Sequence, residues 1–410
     1  MIRRAEKTPL PREIWVLVAA AFVIAVGFGL VAPALPAFAR SFDVGVTAAS
    51  VVISAFAFMR LLFAPVSGRL VQRLGEQPVY LMGLLIVALS TGACAFAQSY
   101  WQLLVFRGLG GIGSTMFTVA ALGLLVRIAP PAIRGRVTGL YATSFLLGSI
   151  GGPLVGGALL RFGLRVPFVI YAIALLIAAA VVFTQLRGSQ FTPRDLTDER
   201  PVMRLRDAWG HAAYRAAVAS SFANGWAVIG VRVALVPLFV TEALHSGAGL
   251  AGVALSVFAV GNALVLIPSG RLSDRQGRRT LVLVGLLITG SATIWLGFTT
   301  NTVTFLIATT LAGVGSGLLN PPQQAAVADV VGSENKGGPV FAGFQMASDV
   351  GAIAGPVGAG LLAQYVSYSA AFGATGAMAL LAALVWLRAP ETLPRPDQPV
   401  GPTPMSKPTR

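Results

Sequence analysis

The chain has 410 residues, of which 55% are hydrophobic and only 11% are charged, and its formal net charge is +15. A soluble domain carries about 45–50% apolar and about 25% charged residues, so this composition argues against a water-soluble globule. The positive charge does not indicate nucleic-acid binding, because the basic residues lie in short connectors between long apolar runs. The composition is that of a polytopic membrane protein.

Apolar runs separated by charged residues, glycine and proline predict twelve helices that cross a bilayer. The first run is too long for the apolar core of a signal peptide, so we expect it to remain as a membrane helix. The predicted fold class is an all-α membrane protein with twelve transmembrane helices. These helices cover residues 14–38, 47–69, 78–98, 101–126, 137–160, 166–186, 213–240, 249–271, 280–300, 303–324, 340–364 and 369–388.

The distribution of arginine and lysine predicts the orientation in the membrane. An even number of spans returns the chain to its starting side, and the side richer in basic residues is expected to face the cytoplasm. The sequence therefore predicts a plasma-membrane protein with both termini in the cytoplasm. The other side carries only Arg40, Arg161 and Arg165. The basic side carries Arg3, Arg4, Lys7, Arg12, Arg69, Arg73, Arg127, Arg134, Arg136, the basic residues from Arg187 to Arg215, Arg271, Arg275, Arg278, Arg279, Lys336 and the basic residues of the tail.

A long polar segment divides the predicted helices into two groups of six. We expect an N-terminal bundle over residues 1–186, a cytoplasmic linker over 187–212 and a C-terminal bundle over 213–388. The proline-rich tail over 389–410 is predicted to be disordered. The mixed charges of the linker are compatible with a solvated connector that contains a short surface helix, or with a segment that binds a partner.

Motifs of the first half recur in the same order in the second half. Such repetition is typical of transporters built from duplicated bundles, in which two facing bundles enclose a cleft. The recurring segments are 68–75 and 270–277, 109–114 and 311–316, and 152–157 and 355–360.

The segment that follows the eighth predicted helix reads Gly270-Arg271-Leu272-Ser273-Asp274-Arg275-Gln276-Gly277-Arg278-Arg279. Its glycines allow a tight turn, and its aspartate can accept hydrogen bonds from neighbouring guanidinium groups. The segment resembles the Gly-x-Leu-x-Asp-Arg-x-Gly-Arg-Arg signature of the major facilitator superfamily. The whole chain is similar to the twelve-helix drug:proton antiporters of that superfamily. The resemblance implies two pseudo-symmetric six-helix bundles and transport by alternating access.

The first copy of this signature departs from the family pattern. Gln72 stands at the acidic position, and Glu76 stands at a position that is usually basic. In the family this copy latches the two bundles together, so we expect Glu76 to supply a carboxylate to Arg73 or Arg69. The gating residues implied by the resemblance are Gly68, Arg69, Arg73, Gly75 and Glu76 in the first copy and Gly270, Asp274, Arg275, Gly277, Arg278 and Arg279 in the second.

The fifth predicted helix carries glycines at a spacing that marks antiporters in this family. The motif consists of Gly139, Gly148, Gly152, Pro153, Gly156 and Gly157. Missing side chains let another helix approach closely, and a glycine face taken alone would indicate only packing. Pro36 in the first helix and Pro237 in the seventh further predict hinges near the ends of these helices.

Four charged residues lie inside the predicted spans and away from their cytoplasmic ends, where a charge is costly and usually functional. Arg107 matches the family's helix-four arginine, which is associated with proton coupling, although its side chain could instead reach the outer surface. Arg60 and Asp349 lie about 12 and about 13 Å from the cytoplasmic ends of their helices. We predict that they form a pair that fastens the bundles and is released by protonation; a static pair is the alternative. Arg232 could attract an anionic substrate, partner Asp349 or reach the surface.

The walls of the cavity are expected to come from the first, fourth, seventh and tenth helices. Its cations make it electropositive, which favours neutral or anionic amphiphiles. The function predicted is proton-driven efflux of a small amphipathic compound by a monomer, and the alternative is an importer or facilitator of a metabolite. Enzyme activity, a metal site, a cofactor and a nucleotide-binding loop are not expected. Six lining residues are predicted, each of which could instead pack or face lipid: Phe28, Met116, Phe117, Phe222, Trp226 and Asn320.

Overall fold

A computed structural model describes residues 10–128, 134–186, 201–332 and 334–393 of the chain. Within these ranges twelve helices are long and apolar enough to cross a membrane, which confirms the predicted fold class. The helices are α1 (Arg12–Val31), α2 (Val46–Leu74), α3 (Glu76–Ala95), α4 (Tyr100–Ile128), α5 (Arg134–Leu159), α6 (Val166–Leu186), α7 (Ala212–Ala243), α8 (Gly249–Gln276), α9 (Arg278–Leu296), α10 (Thr302–Val331), α11 (Gly338–Tyr365) and α12 (Tyr368–Leu387).

The two signature segments are mostly helical. We predicted that the second and eighth helices end at residues 69 and 271, whereas α2 continues to Leu74 and α8 to Gln276. The turn is made by Gly75 and Gly277, whose φ angles of 86° and 102° lie in the region that favours glycine. The predicted ends were too early because charged side chains at a helix end can reach water while the backbone keeps its hydrogen bonds.

The first and seventh spans are irregular near the prolines predicted as hinges. α1 ends at Val31, and a short helix, Leu35–Arg40, follows a turn, because Pro33 and Pro36 lack the backbone N–H that a continuous helix needs. Within α7, two stretches, Gly225–Val231 and Phe239–Ala243, are π-helical. Local π turns are frequent at functional sites. The first of the two stretches ends directly before Arg232.

The helices form two bundles with the same internal packing. In the first bundle α1 packs on α5 and α3 on α4, and in the second α7 packs on α11 and α9 on α10. The bundles meet along two helix pairs, α2 with α11 and α5 with α8. Because α2 corresponds to α8 and α5 to α11 in the repeat, the two contacts are related by the pseudo-symmetry.

The linker and the tail are partly ordered. Met203 N–H donates to the Lys336 carbonyl at 3.0 Å, and a short helix, Leu205–Trp209, follows, as a connector with a surface helix predicts. Residues 389–393 are held against α9 by hydrogen bonds of Glu391. The prediction of disorder is therefore wrong for these five residues. Residues 187–200 and 394–410, which contain most of the predicted linker and tail, lie outside the described residues.

We call the side where the described chain begins and ends the terminal face, and the opposite side, which carries Arg40 and Glu242, the remote face. Helices α2 and α11 run antiparallel and are joined in their remote halves. Thr47 N–H donates to Gln364 Oε1 at 3.0 Å, and Ser54 Oγ donates to the Ile353 carbonyl at 2.7 Å. The bundles are therefore closed at the remote face.

Helices α5 and α8 are joined in the same way and then separate. Gly157 and Gly252 approach so closely that neither position has space for a Cβ atom, and Ser256 Oγ donates to the Ile150 carbonyl at 2.8 Å. Further toward the terminal face, Phe145 and Leu264 are 44% and 68% exposed. The cleft between the bundles consequently opens toward the terminal face.

Adjacent glycines of α5 provide a test of this packing. A Cβ at Gly152 would lie 2.4 Å from the Val26 carbonyl oxygen of α1, whereas a Cβ at Gly151 would meet no atom within 4 Å. We expect Gly152→Ala to lower the free energy of unfolding in detergent by about 1–3 kcal/mol through overpacking. Gly151→Ala is the matched control, and its better helix propensity should leave stability unchanged or slightly increased. Equal thermal melting of the two variants would contradict the proposed close approach.

Candidate functional site: a central cavity and its intramembrane charges

A cavity of about 260 Å³ lies between the two bundles. Its wall comes from α1, α5, α7 and α8, so the predicted contribution of the fourth and tenth helices is not observed there. The side chains are mostly apolar, and one cation and one amide are among them. The lining residues are Ala25, Phe28, Gly29, Ala32, Phe145, Leu146, Ser149, Pro153, Val228, Arg232, Val233, Leu255, Phe258, Ala259 and Asn262.

Of the six predicted lining residues, only Phe28 is among those that line this cavity. Met116 and Phe117 are buried against Gly83 of α3. Trp226 packs on the glycines of α11, and its Nε1 donates to Thr375 Oγ1 at 3.3 Å. These positions were predicted wrongly because all faces of the helices are apolar, so hydrophobicity does not identify the face that meets the cleft.

Phe222 and Asn320 also lie elsewhere. Phe222 lines a surface groove between α7, α11 and α12. Asn320 belongs to a network of amides inside the second bundle, where it accepts a hydrogen bond from Gln323 Nε2 at 3.0 Å. The residues that the sequence reasoning missed include Phe145, Phe258 and Asn262, and of these only Asn262, an amide within an apolar helix, carried a usable signal.

Arg60 of α2 and Asp349 of α11 form the predicted contact. Arg60 Nη2 lies 2.7 Å from Asp349 Oδ1, and the side chain of Asp349 is only 12% exposed. Gln345 Nε2 lies 3.5 Å from the same oxygen. This ion pair joins the two bundles and lies on the terminal side of the Ser54 contact. Removing either partner would leave the other charge uncompensated inside the membrane.

Arg107 is buried inside the first bundle and does not reach the surface. It is 7% exposed, and its guanidinium carbon lies 4.1 Å from the ring centroid of Phe56 and 5.8 Å from that of Phe28. The ring faces attract the cation, an interaction worth about 2 kcal/mol when it is desolvated. Its Nε makes no hydrogen bond. Arg107 therefore lies behind Phe28, which itself lines the cavity.

Arg232 lies in the cavity wall. It is 7% exposed, and its guanidinium carbon lies 3.0 Å from the ring centroid of Phe258 on α8. Its Nε and Nη1 are buried and make no hydrogen bond. Of the alternatives left open by the sequence, the structure places Arg232 at the cavity and places Asp349 beside Arg60 instead.

The glycine motif of α5 serves two contacts. Gly148, Gly152 and Gly156 face α1 at distances that exclude any side chain, whereas Gly157 faces α8 of the other bundle. Pro153 lies between these surfaces and lines the cavity. Gly139, near the terminal face, has open space around it. The motif thus packs α5 within its own bundle and also forms part of the contact between bundles.

The second signature segment contains a compact charge cluster. Arg278 at the start of α9 pairs with Asp274 of α8, and its Nε lies 3.2 Å from Asp329 Oδ2 at the end of α10. The predicted role of Asp274 as an acceptor is therefore confirmed. The cluster ties the ends of three helices together at the terminal face.

In the first signature segment Glu76 pairs with Arg127 of α4, so the prediction that it pairs with Arg73 or Arg69 is wrong. Gly75 turns the chain, and Glu76 begins α3, which packs on α4 instead of on the end of α2. At the offset that relates Gly75 to Gly277, Glu76 corresponds to Arg278 and Arg127 to Asp329. Both copies therefore join the same helix ends, with the charges exchanged.

Glu391 extends the second cluster. Its carboxylate accepts hydrogen bonds from the backbone N–H groups of Arg278 at 2.8 Å and Arg279 at 3.1 Å, so it caps the N-terminus of α9. Partial burial raises the pKa of the Glu391 carboxyl, but the backbone N–H groups of Leu393, Arg278, Arg279 and Thr392 outweigh it and hold this pKa below its usual value. Arg279 also donates to the Leu387 carbonyl at 2.5 Å.

A polytopic protein with two six-helix bundles, a cleft between them and charges at their interface belongs to the class of membrane carriers. The sequence model of the Major Facilitator Superfamily matches residues 17–235 and 217–409. The chain therefore belongs to the Major Facilitator Superfamily.

Relatives and solved structures agree with this assignment. The multi-drug resistance efflux pump PmrA homolog of Lactococcus lactis is 24% identical over 94% of this chain and 96% of its own. The class C tetracycline resistance protein of Escherichia coli is 30% identical over 76% of this chain and 80% of its own. A POT family transporter crystallised with a thioalcohol-conjugated peptide superposes with a TM-score of 0.78 at 12% identity, over 92% of this chain and 96% of its own.

The exchanged charges of the two signature copies can be tested by swapping one pair. Glu76→Arg and Arg127→Glu should each destabilise the first bundle, because each leaves two like charges in contact. The double variant recreates the polarity of Arg278 and Asp329 and should recover stability, with a coupling energy of about 1–3 kcal/mol. Unfolding in mixed micelles measures all four proteins. A double variant as unstable as the sum of the single ones would contradict the pairing.

The cap formed by Glu391 predicts a dependence on pH. Because its pKa is lowered by folding, its contribution to stability is fully present above the unfolded value of about 4.3 and is lost as the pH falls through the folded value. Wild type should therefore melt above Glu391→Gln at pH 7 and pH 5, and the difference should shrink below about pH 4. Glu334→Gln, at an exposed position, is the control and should show no such difference. A pH-independent difference for Glu391→Gln would be inconsistent with the cap.

Proposed function

We propose that this protein exports small amphipathic compounds in exchange for protons, by alternating access between the two bundles. The observation that carries this proposal is the ion pair of Arg60 and Asp349, which bridges the bundles beside the cleft. A carboxylate at that position can bind either a proton or the guanidinium group, so protonation and closure of this contact oppose each other.

Two further observations support export. The relatives named above are an efflux pump and a resistance protein, and both cover most of this chain. The glycine spacing of α5 is the one that the family resemblance associates with antiporters, and in the structure Gly157 forms part of the contact between the bundles.

The proposed cycle follows from thermodynamic linkage. In the arrangement described here the terminal face is open and Asp349 is paired with Arg60. Proton binding to Asp349 weakens this pair and so favours the arrangement that is open at the remote face. By reciprocity, return to the arrangement that is open at the terminal face favours release of the proton at the terminal face. If the terminal face is cytoplasmic, protons are released into the cytoplasm at the point where the substrate enters the cavity.

The proposed transporter lies in the plasma membrane and is driven by the proton gradient. The excess of basic residues on the terminal side supports a plasma-membrane protein with both termini in the cytoplasm. The proton gradient is the energy source, no cofactor is required, and the functional unit is a monomer in the lipid bilayer.

Asp349→Asn tests the coupling. The variant cannot exchange a proton, so proton-driven transport of N-phenyl-1-naphthylamine into inside-out proteoliposomes should fall at least about 10-fold. Exchange of labelled for unlabelled compound without a gradient requires no proton and should persist, which shows that the variant is folded.

Asp43→Asn is the matched control, because Asp43 is exposed at the remote face and asparagine tolerates its φ of 57°. It should transport like wild type. Proton-driven transport by Asp349→Asn at the wild-type rate would refute the coupling role. Proton-driven transport by wild type in the opposite direction, out of the inside-out proteoliposomes, would indicate an importer.

A further inference from the structure

We propose that Arg232 is the binding site for the acidic group of an aromatic organic monoanion, such as a carboxylate or a sulfonate, and that Phe258 and Asn262 complete this site. The inference rests on the proposed function, because it specifies the charge and shape of the compound that is exported.

The guanidinium group of Arg232 is buried in the cavity wall and is incompletely hydrogen-bonded. Arg232 is 7% exposed, lies in the cavity wall, and has buried Nε and Nη1 atoms without hydrogen-bond partners. A buried charged donor without a partner is costly, and a hydrogen bond to an ionised acceptor is among the strongest available. An anion in the cavity would supply the opposite charge, and a rotation of the Arg232 side chain would bring these buried N–H groups to the anion.

Within the described part of the chain, the acid in the middle of a span is Asp349, and it does not neutralise Arg232 here. One Asp349 oxygen is engaged by Arg60 at 2.7 Å. The described residues that line the cavity include no acidic side chain. The positive charge of Arg232 is thus uncompensated at the place where a substrate would bind.

The guanidinium group packs against an aromatic ring of the cavity wall. It lies 3.0 Å from the centroid of the Phe258 ring, so the ring supports one face of the group. Asn262 lies one turn further along α8 and also lines the cavity. Asn262 Nδ2 donates one hydrogen bond to Ser316 Oγ at 3.3 Å, and its second N–H is available to an anion.

The rest of the compound would meet aromatic side chains of the other bundle. Phe28 and Phe145 of the other bundle line the same cavity and are 37% and 44% exposed. Aromatic faces bind planar apolar groups, so the acidic group would contact α7 and α8 while the ring system contacts α1 and α5. One ligand would then touch both bundles.

Two probes with the same aromatic frame test this site. They are 8-anilinonaphthalene-1-sulfonate, a monoanion, and N-phenyl-1-naphthylamine, which lacks the sulfonate. Binding is measured by fluorescence with purified protein in nanodiscs, and empty nanodiscs provide the background. Wild type should bind the sulfonate more tightly than the neutral compound.

Three variants separate charge from shape. Arg232→Gln should weaken binding of the sulfonate roughly 10-fold and change binding of the neutral compound less than about twofold, whereas Arg232→Lys should keep part of the preference. Arg161→Gln, which removes an exposed arginine, is the control and should match wild type.

The proposal would be overturned if wild type bound the two probes equally, or if Arg232→Gln lost binding of both equally. The comparison of the two probes in wild type remains a test even if Arg232→Gln does not fold. Proton-driven transport of the neutral compound by wild type is measured in parallel. If wild type transports the neutral compound but does not prefer the anion, the Arg232 site is refuted and the proposed function stands. If wild type prefers the anion but shows no proton-driven transport, the Arg232 site stands and the proposed function is refuted.

Discussion

The ion pair between Arg60 and Asp349 is the interaction on which the arrangement of the two bundles depends. A carboxylate in the middle of a membrane helix must be neutralised, either by a cation or by a proton. Here the cation comes from the opposite bundle, so neutralising the charge also fixes α2 against α11. In the proposed function, the same physical requirement links protonation of Asp349 to the relative position of the bundles.

An exposed ion pair of Arg40 with Glu242 also joins the bundles at the remote face, and the contacts deeper in the membrane are uncharged. Ser54 and Ser256 each donate to a backbone carbonyl of the opposite bundle, and Gly157 and Gly252 bring two backbones together. Such contacts can form and separate without leaving a charge unpaired. In the proposed cycle they separate when the remote face opens, and the pair of Arg60 with Asp349 sets the chemical condition for that opening.

Much of the fold follows from the sequence because the membrane imposes simple rules. Twelve apolar runs became twelve helices, and the repeat predicted the two bundles. The pairing of Arg60 with Asp349 was also predictable, because few charges lie within the spans and these two lie at matching depth. Arg107 and Arg232 were identified by the same reasoning, although their aromatic neighbours were not.

Other parts of the site were not predictable because they depend on three-dimensional packing. Helix faces that are apolar on all sides gave no indication that Phe145 and Phe258 line the cavity while Met116 and Phe117 are buried elsewhere. The partner of Glu76 is distant in sequence, and only the structure reveals that Glu76 and Arg127 repeat the pair of Arg278 and Asp329 with exchanged charges.

The distance between the bundles at the terminal face, measured as a function of the charge on Asp349, tests whether this charge controls the arrangement of the bundles. Spin labels are attached at Gln72→Cys and Gly338→Cys, at exposed ends of α2 and α11, in a Cys94→Ala background. Pulsed electron paramagnetic resonance then measures the distance between the labels. Control by this charge predicts a long distance at neutral pH and a shift toward shorter distances in Asp349→Asn, which imitates the protonated carboxyl. Distance distributions that are identical in wild type and Asp349→Asn would contradict it.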